Sequence, residues 1–331
     1  MAASPLPQTR PTTEAPIEVD EDRELVADDD ISAITASITS SILDYPVENG
    51  RRYHAFRAGA YCLPNDDLEQ IRLDLSHVIM TKTIGDKLFL APLDPAKLGR
   101  VLDIGTGTGI WSMTLGDQYP NAEILGNDLS PIQPAWVPPN VKFEVDDVED
   151  PWVYRTPFDF IFCRYMMASI QDWPKLVKNT YDHLTPGGWA EFQDYDIMYY
   201  SEDGSLKPES ATYQWITALI STSNKIGRDP QPGLSLERWV REAGFKKVEH
   251  RKFRLPIGGW AKDADLKQLG TYNLAQLLSG LEAFSLRLFC NVLGWSKEQL
   301  MVLLTDVRKE LKNPNLHAQF DFHVVYGQKP E

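Results

Sequence analysis

Residues 101–111 read VLDIGTGTGIW, an apolar run that ends on Asp103 and is followed by glycines at alternate positions, Gly105, Gly107 and Gly109. Without a Cβ, each of these residues lets the backbone turn tightly and approach a ligand. The turn falls where a strand should pass into a helix, at the carboxyl edge where open α/β sheets bind small molecules. Its spacing is neither the G-x-G-x-x-G of a dinucleotide fingerprint nor a phosphate loop ending in G-K-[ST]. A carboxylate at Asp103 disfavours a pyrophosphate and favours a ligand carrying an ammonium or sulfonium. S-adenosyl-L-methionine carries both.

Two further acids fit that ligand. Asp128, nineteen residues beyond Gly109 in ILGNDLS, ends the next strand, where a carboxylate can accept both ribose hydroxyls. The same spacing suits NAD, so this residue alone does not decide. Asp147, in FEVDDVEDPW, is placed to accept the exocyclic amine of an adenine while the Val148 backbone meets the ring edge. Taken singly, the glycine turn could be a plain strand-to-helix connection and each aspartate a helix cap or a solvated acid. Order, spacing and charge sign together favour the adenosyl ligand.

Such a site needs a sheet to hold it. Strand-like runs at 101–104, 122–127, 141–145, 158–163 and 188–193 alternate with helical patterns at 109–119 and 173–184, which predicts parallel crossover units in a doubly wound α/β sheet. Before the first strand, Leu68, Ile71, Leu75, Val78 and Ile79 recur at helical spacing, so a capped amphipathic helix is expected from 66 to about 90. Beyond the fifth strand, helices are expected at 208–226 and 235–243, a strand at 249–255, an uninterrupted helical block at 262–312 and a last strand at 318–327. That block is far longer than a crossover needs and is a candidate cap over a pocket. The chain thus divides into an acidic tail (1–30), a helical arm (31–98) and a main domain (99–331) with cap insertions at about 195–232 and 262–312.

Composition narrows the function classes. The 331 residues hold 47 acids and 33 bases, a formal charge of -14. Residues 1–30 alone carry nine acids against two bases and few aromatics, so disorder is expected there. An acidic body whose basic residues come at most in pairs would repel a phosphate backbone, which argues against direct nucleic-acid binding. Cys62, Cys163 and Cys290 lie far apart and match neither a metal pair nor a disulfide framework, so a reducing, cytoplasmic setting is expected. No apolar run is long enough to predict a membrane span.

VLDIGTGTGIW, ILGNDLS, DDVEDPW and FDFIFCRYMMASIQDWPKLVKNTYDHLTPGGW resemble the successive motifs of a class I S-adenosylmethionine-dependent methyltransferase, over residues 100–193. ENGRRYHAFRAGAYCLPNDDLEQIRLDLSHVIM resembles the segment preceding the first strand in fungal LaeA-like (TAM-domain) methyltransferases. The resemblance implies a Rossmann-like sheet of seven strands with the last antiparallel, glycines 105, 107 and 109 around the methionine part of the cofactor, and Arg164, Tyr165 and Met166 at the mouth of its pocket.

Methyl transfer from a sulfonium is an in-line displacement that needs alignment and water exclusion and no covalent nucleophile. If a general base assists, His54 in RRYH is the best candidate of six histidines, since His77 and His183 fall on helical patterns and His250 and His323 on strands. On the acceptor side, Gln193, Asp194 and Tyr195 in EFQDYDIMYY should stand at the carboxyl edge, although the neighbouring tyrosines could equally pack under helices. Two functions remain open: a methyltransferase acting on an oxygen or nitrogen of a small fungal secondary metabolite, or a regulator working through nuclear protein partners. A closed apolar pocket beside the methyl position would favour the first, and a flat exposed apolar face the second.

Overall fold

The computed structural model describes residues 44–57 and 63–331. The acidic tail and Cys62 lie outside them.

Seven strands form one sheet in the order β5-β4-β3-β6-β7-β9-β8, with β3 Arg100–Ile104, β4 Glu123–Asp128, β5 Val141–Val145, β6 Phe158–Arg164, β7 Leu184–Tyr200, β8 Lys246–Pro256 and β9 Gln319–Gln328. The pairs β5–β4, β4–β3, β3–β6 and β6–β7 are parallel, and β9 runs antiparallel to both β7 and β8. This is the expected doubly wound Rossmann-like sheet, including its reversed last strand. A short hairpin of β1 (Val47–Glu48) and β2 (Arg51–Arg52) stands apart from it.

Alternation along the strands supplies two cores. On β6, Phe160 and Phe162 point to one face and Ile161 and Cys163 to the other. The first face packs α2 (Ile110–Gln118), whose Trp111 ring stacks on Phe162 at 4.0 Å between centroids. The second packs α3 (Trp173–Asp182) and α5 (Leu236–Glu242) through Leu176, Val177, Leu236 and Val240. Each fully buried phenylalanine of β6 contributes roughly 1.5–3 kcal/mol of transfer free energy.

The flanking helices depart from the sequence reading. The first, α1, covers Asp67–Thr83, capped by the Asp66 carboxylate accepting from the Glu69 backbone N–H at 3.1 Å. Its buried face matches the expected one only in part, with Ile79 buried and Leu75 half-buried against the core. Leu68, Ile71 and Val78 are exposed, while Glu69, Arg72, Ser76, His77, Ile79 and Met80 are buried. The inward face meets a polar cavity, described below, and a Glu69–Arg72 ion pair of 2.6 Å satisfies its charges, so site chemistry overrides the apolar pattern.

Downstream, β7 runs to Tyr200, so residues 195–200 extend the sheet instead of opening an insertion. Then come α4 (Ala211–Lys225), capped by Ser210, and between β8 and β9 the long α6 (Ala264–Leu286), a π-helical segment at Arg287–Val292 and α7 (Lys297–Leu311). The expected uninterrupted block at 262–312 is therefore broken. Gly294, in the left-handed region at φ 72°, turns the chain, and the Ser296–Gln299 capping box starts α7. Among the described residues, no helix is long and apolar enough to cross a membrane.

Candidate active site

The carboxyl ends of β3, β4, β5 and β6 open into a cavity of about 1160 Å³, mouth included. Gly105 and Gly107, at φ 65° and 58°, give its floor a left-handed backbone that L side chains rarely adopt. A Cβ at 105 would collide with the Met166 side chain; one at 107 would meet only Leu73, at 3.7 Å. Gly109 differs. It caps α2 at φ 80°, a Cβ there would strike the Phe143 ring, and it does not line the cavity.

Asp103 is buried, and its Oδ2 accepts from Thr106 Oγ1 and Ser112 Oγ, both at 2.6 Å. Burial pushes its pKa up to about 6, against those two hydrogen bonds. Asp128 ends β4 with Oδ2 on the Gly107 N–H and Oδ1 on the Ser130 N–H, both at 2.9 Å, and burial raises it likewise to about 6. The carboxylate on the second strand thus ties down the glycine turn on the first. Asp147 and Val148 line the same cavity, with Asp147 Oδ1 accepting from the Glu149 N–H at 3.0 Å.

Arg164, the last residue of β6, enters from the far side. Its Nη2 donates to His77 Nδ1 at 2.8 Å, and its Nη1 is buried with no hydrogen-bond partner. Burial lowers its pKa to about 10, which leaves it cationic at neutral pH. Burial and the adjacent Arg164 charge together depress His77 to about 3, so His77 is a neutral acceptor. On sequence His77 reads as a packed or solvated histidine of a helix, yet it lines the cavity with Ser76 and Met80 from the same helix. Its spacing three residues before Met80 carried no signal, because the site it faces is assembled from strands far along the chain. Thr108 Oγ1 donates to Asp74 at 2.7 Å and clips α1 onto the glycine turn.

A second cavity of about 840 Å³, mouth included, adjoins the first and shares Ser76 and Tyr165 with it. Tyr195, Tyr199 and Phe320 of the sheet, Trp215 of α4 and Phe284 of α6 make it aromatic, with Ile79, Ile197 and Leu277 between them. Among the described residues, no carboxylate, imidazole, ammonium or guanidinium lines it.

The residues expected on the acceptor side divide. Tyr165 lines both cavities, Met166 the first and Tyr195 the second. Gln193 and Asp194 are buried and line neither. Gln193 donates to Glu191 at 2.6 Å and its carbonyl accepts from the Tyr165 N–H; Asp194 accepts from the N–H groups of Met166 and Tyr195, each at 2.8 Å. They hold the turn after β6 from behind, where burial raises Asp194 to about 7. His54 is buried on the arm with Nε2 at 3.1 Å from the Arg57 carbonyl, and it lines neither cavity. Its candidacy as a base is not supported.

A polar cavity at the carboxyl edge of a doubly wound sheet, with a glycine turn and one acid at the end of the second strand, defines a nucleoside-binding α/β enzyme. The profile of the methyltransferase-domain family matches residues 77–250. Methyltransferase pytC of Aspergillus terreus is 48% identical over 97% of this chain and 99% of its own length. The probable methyltransferase tdiE of Emericella nidulans is 37% identical over 80% and 83%, and the secondary metabolism regulator laeA of Monascus pilosus 36% identical over 90% and 82%. The chain belongs to the methyltransferase-domain family and is an S-adenosylmethionine-dependent enzyme of its fungal LaeA-like branch.

Proposed function

We propose that the chain methylates an oxygen or nitrogen of a small, largely apolar secondary metabolite, with the methyl donor in the first cavity and the acceptor in the second. The observation that carries this reading is the shared wall: Ser76 and Tyr165 border both cavities, so a group in one can reach a group in the other. The name of the laeA relative supports a place in secondary metabolism.

In this reading Asp128 accepts the ribose hydroxyls with the lone pairs its two backbone bonds leave over. Asp147 and Val148 frame the adenine. Gly105 and Gly107 admit the methionine part, and Gly109 supports them by letting α2 begin against Phe143. The unpartnered Nη1 of Arg164 is the counter-charge for the methionine carboxylate, since a buried donor left alone is costly and a carboxylate satisfies it. Asp103 Oδ1 remains for the ammonium. When bound, the donor supplies an electrophilic methyl group on a cationic sulfur.

The protein's share of the chemistry is alignment and the exclusion of water. Helices α1, α4 and α6 contribute to the walls of the second cavity, and its aromatic lining favours a flat apolar acceptor over water. Tyr195, edge-on to Tyr165 at 5.4 Å between centroids, fixes the wall against which that acceptor lies. No residue of the cavity is asked to form a covalent intermediate.

The regulatory reading draws on the exposed stripe Leu68, Ile71 and Val78 of α1. The aromatic cavity beside the donor site is the feature that favours the enzyme reading. Labelled S-adenosylmethionine incubated with the protein and a panel of apolar hydroxylated and amino metabolites should transfer label to at least one. Tight binding of the donor with no transfer across the panel would contradict the proposal.

A further inference from the structure

We infer that the acceptor presents an acidic hydroxyl, a phenol or enol on a flat apolar frame, which reacts as its anion while accepting a hydrogen bond from Tyr165. The inference rests on the methyl-transfer reading and narrows its acceptor.

Among the described residues only Ser76 and Tyr165 stand between the two cavities, and their protons are not equivalent. Ser76 Oγ donates back to the Arg72 carbonyl at 2.9 Å, so its proton is spent within α1. The Tyr165 hydroxyl instead accepts twice, from Arg72 Nη1 at 2.8 Å and from Gln276 Nε2 at 3.3 Å. A hydroxyl has two lone pairs and one proton. With both lone pairs engaged, the proton is left as a donor at the wall where transfer must occur.

Its surroundings strengthen that donor. Arg72 is buried and gripped by both oxygens of Glu69, at 2.6 and 3.0 Å, and its guanidinium lies 5.3 Å from the Tyr165 ring centre and 4.9 Å from that of Phe284. A cation donating into a phenol oxygen polarises its O–H. Tyr165 also holds a left-handed backbone at φ 61°, fixed by its N–H on the Gln193 carbonyl at 2.9 Å and by Asp194 on the next N–H. Strain of that kind persists where the surroundings over-determine it, and it is common at sites that do chemistry.

The lining decides which acceptor suits such a donor. Among the described residues the cavity offers no base and no counter-ion for an ammonium. An ordinary alcohol would need a base, and a protonated amine would be buried unpaired. An acidic hydroxyl ionises in water and needs neither. Its anion, costly to bury alone, gains the Tyr165 hydrogen bond on one side and the sulfonium charge on the other. Ser223 Oγ, buried in the same cavity with no hydrogen-bond partner, is a second donor, suited to a carbonyl-type oxygen on the same frame.

The step balances without a protein base. The hydroxyl proton goes to solvent, an oxygen lone pair forms the O–CH3 bond, and the C–S bond breaks with its electron pair to sulfur. The products are the methyl ether, S-adenosylhomocysteine and one proton.

The test uses 4-nitro-1-naphthol, whose anion is coloured, and the isosteric 4-nitro-1-naphthylamine, each titrated into the full chain saturated with S-adenosylhomocysteine. The naphtholate should bind at least about tenfold more tightly than the amine, and the bound probe should ionise at lower pH than in water. Tyr165→Phe should remove that downward shift, by about one pH unit, and leave S-adenosylhomocysteine affinity within about threefold. Ser223→Ala should weaken the probe without moving its ionisation. Equal binding of anion and amine, an unshifted Tyr165→Phe variant, or no probe binding to a protein that holds S-adenosylhomocysteine would overturn the inference. Failure of the unaltered protein to hold S-adenosylhomocysteine would instead overturn the methyl-transfer reading beneath it.

Discussion

The two cavities share a wall and little else. The strand-end part of the first announces itself in sequence: a glycine turn after β3, Asp128 ending β4, Asp147 after β5 and the arginine ending β6. The second gathers residues from 63 to 320, mostly aromatic and aliphatic, and apart from Tyr165 and Tyr195 they are indistinguishable in sequence from ordinary core. A cofactor common to many enzymes constrains a few residues tightly in one stretch of fold. An acceptor is recognised by shape, and shape is distributed.

If that contrast is real, the halves should fail separately. Trp215, 1% exposed with its Nε1 donating to Ser285 Oγ at 2.8 Å, belongs to the apolar wall. Trp215→Ala should lower unfolding stability by about 3–5 kcal/mol in denaturant titrations, and the folded protein should still bind S-adenosylhomocysteine within about twofold of the original. A matching collapse of cofactor affinity would mean the halves are one mechanical unit.

Asp128→Ala should act in the opposite sense. Calorimetry should show S-adenosylhomocysteine affinity weakened by about 1–3 kcal/mol, with the naphtholate probe unaffected. Unchanged cofactor affinity would remove Asp128 from the ribose.

Smaller effects should come from the glycines. Gly107→Ala should lower unfolding stability by roughly 1–2 kcal/mol, the cost of a left-handed L residue, because there is room for its Cβ beside Leu73. Gly105→Ala should lower it more, since Met166 must also move. Equal losses would show that backbone strain alone, and not the Met166 contact, sets the floor.

The mildest effect is a pH dependence with two signs. Folding raises Asp103 and Asp128 to about 6 and Glu191 and Asp194 to about 7, in each case chiefly by burial. The stability these groups contribute is therefore full below the ordinary carboxylate range and is lost as pH rises through about 6 to 7. In the proposed binding mode cofactor affinity runs the other way, because that mode uses Asp103 and Asp128 as carboxylates and should weaken as pH falls through about 6. The Tm of the ligand-free protein should thus be higher near pH 5.5 than near pH 7.5, with S-adenosylhomocysteine affinity higher near 7.5.

Legibility followed the same division. Asp103, Gly105, Gly107, Asp128, Asp147, Val148 and Arg164 all line the first cavity, because strand ends and tight turns leave a local pattern. Gly109 was legible as part of the turn but not in its role, since only the folded chain brings Phe143 against it. On the acceptor side the strand-end rule brought Tyr165 and Tyr195 to the cavity but could not tell them from Gln193 and Asp194, which are buried in hydrogen bonds behind the turn after β6. Helix α1 shows the limit most clearly. Leu68, Ile71 and Val78 face solvent while Leu75 and Ile79 turn inward, and a helix that borders a polar site cannot be oriented by hydrophobic period alone. His77, Arg72 and Ser76 were hidden for that reason.

A crystal structure of the complex with S-adenosylhomocysteine is the most direct test. It should show the ribose on Asp128, the adenine between Asp147 and Val148, the carboxylate on Arg164 Nη1 and the sulfur facing Tyr165. A ribose held away from Asp128, or a nucleoside lodged in the aromatic cavity, would contradict the assignment of the two halves.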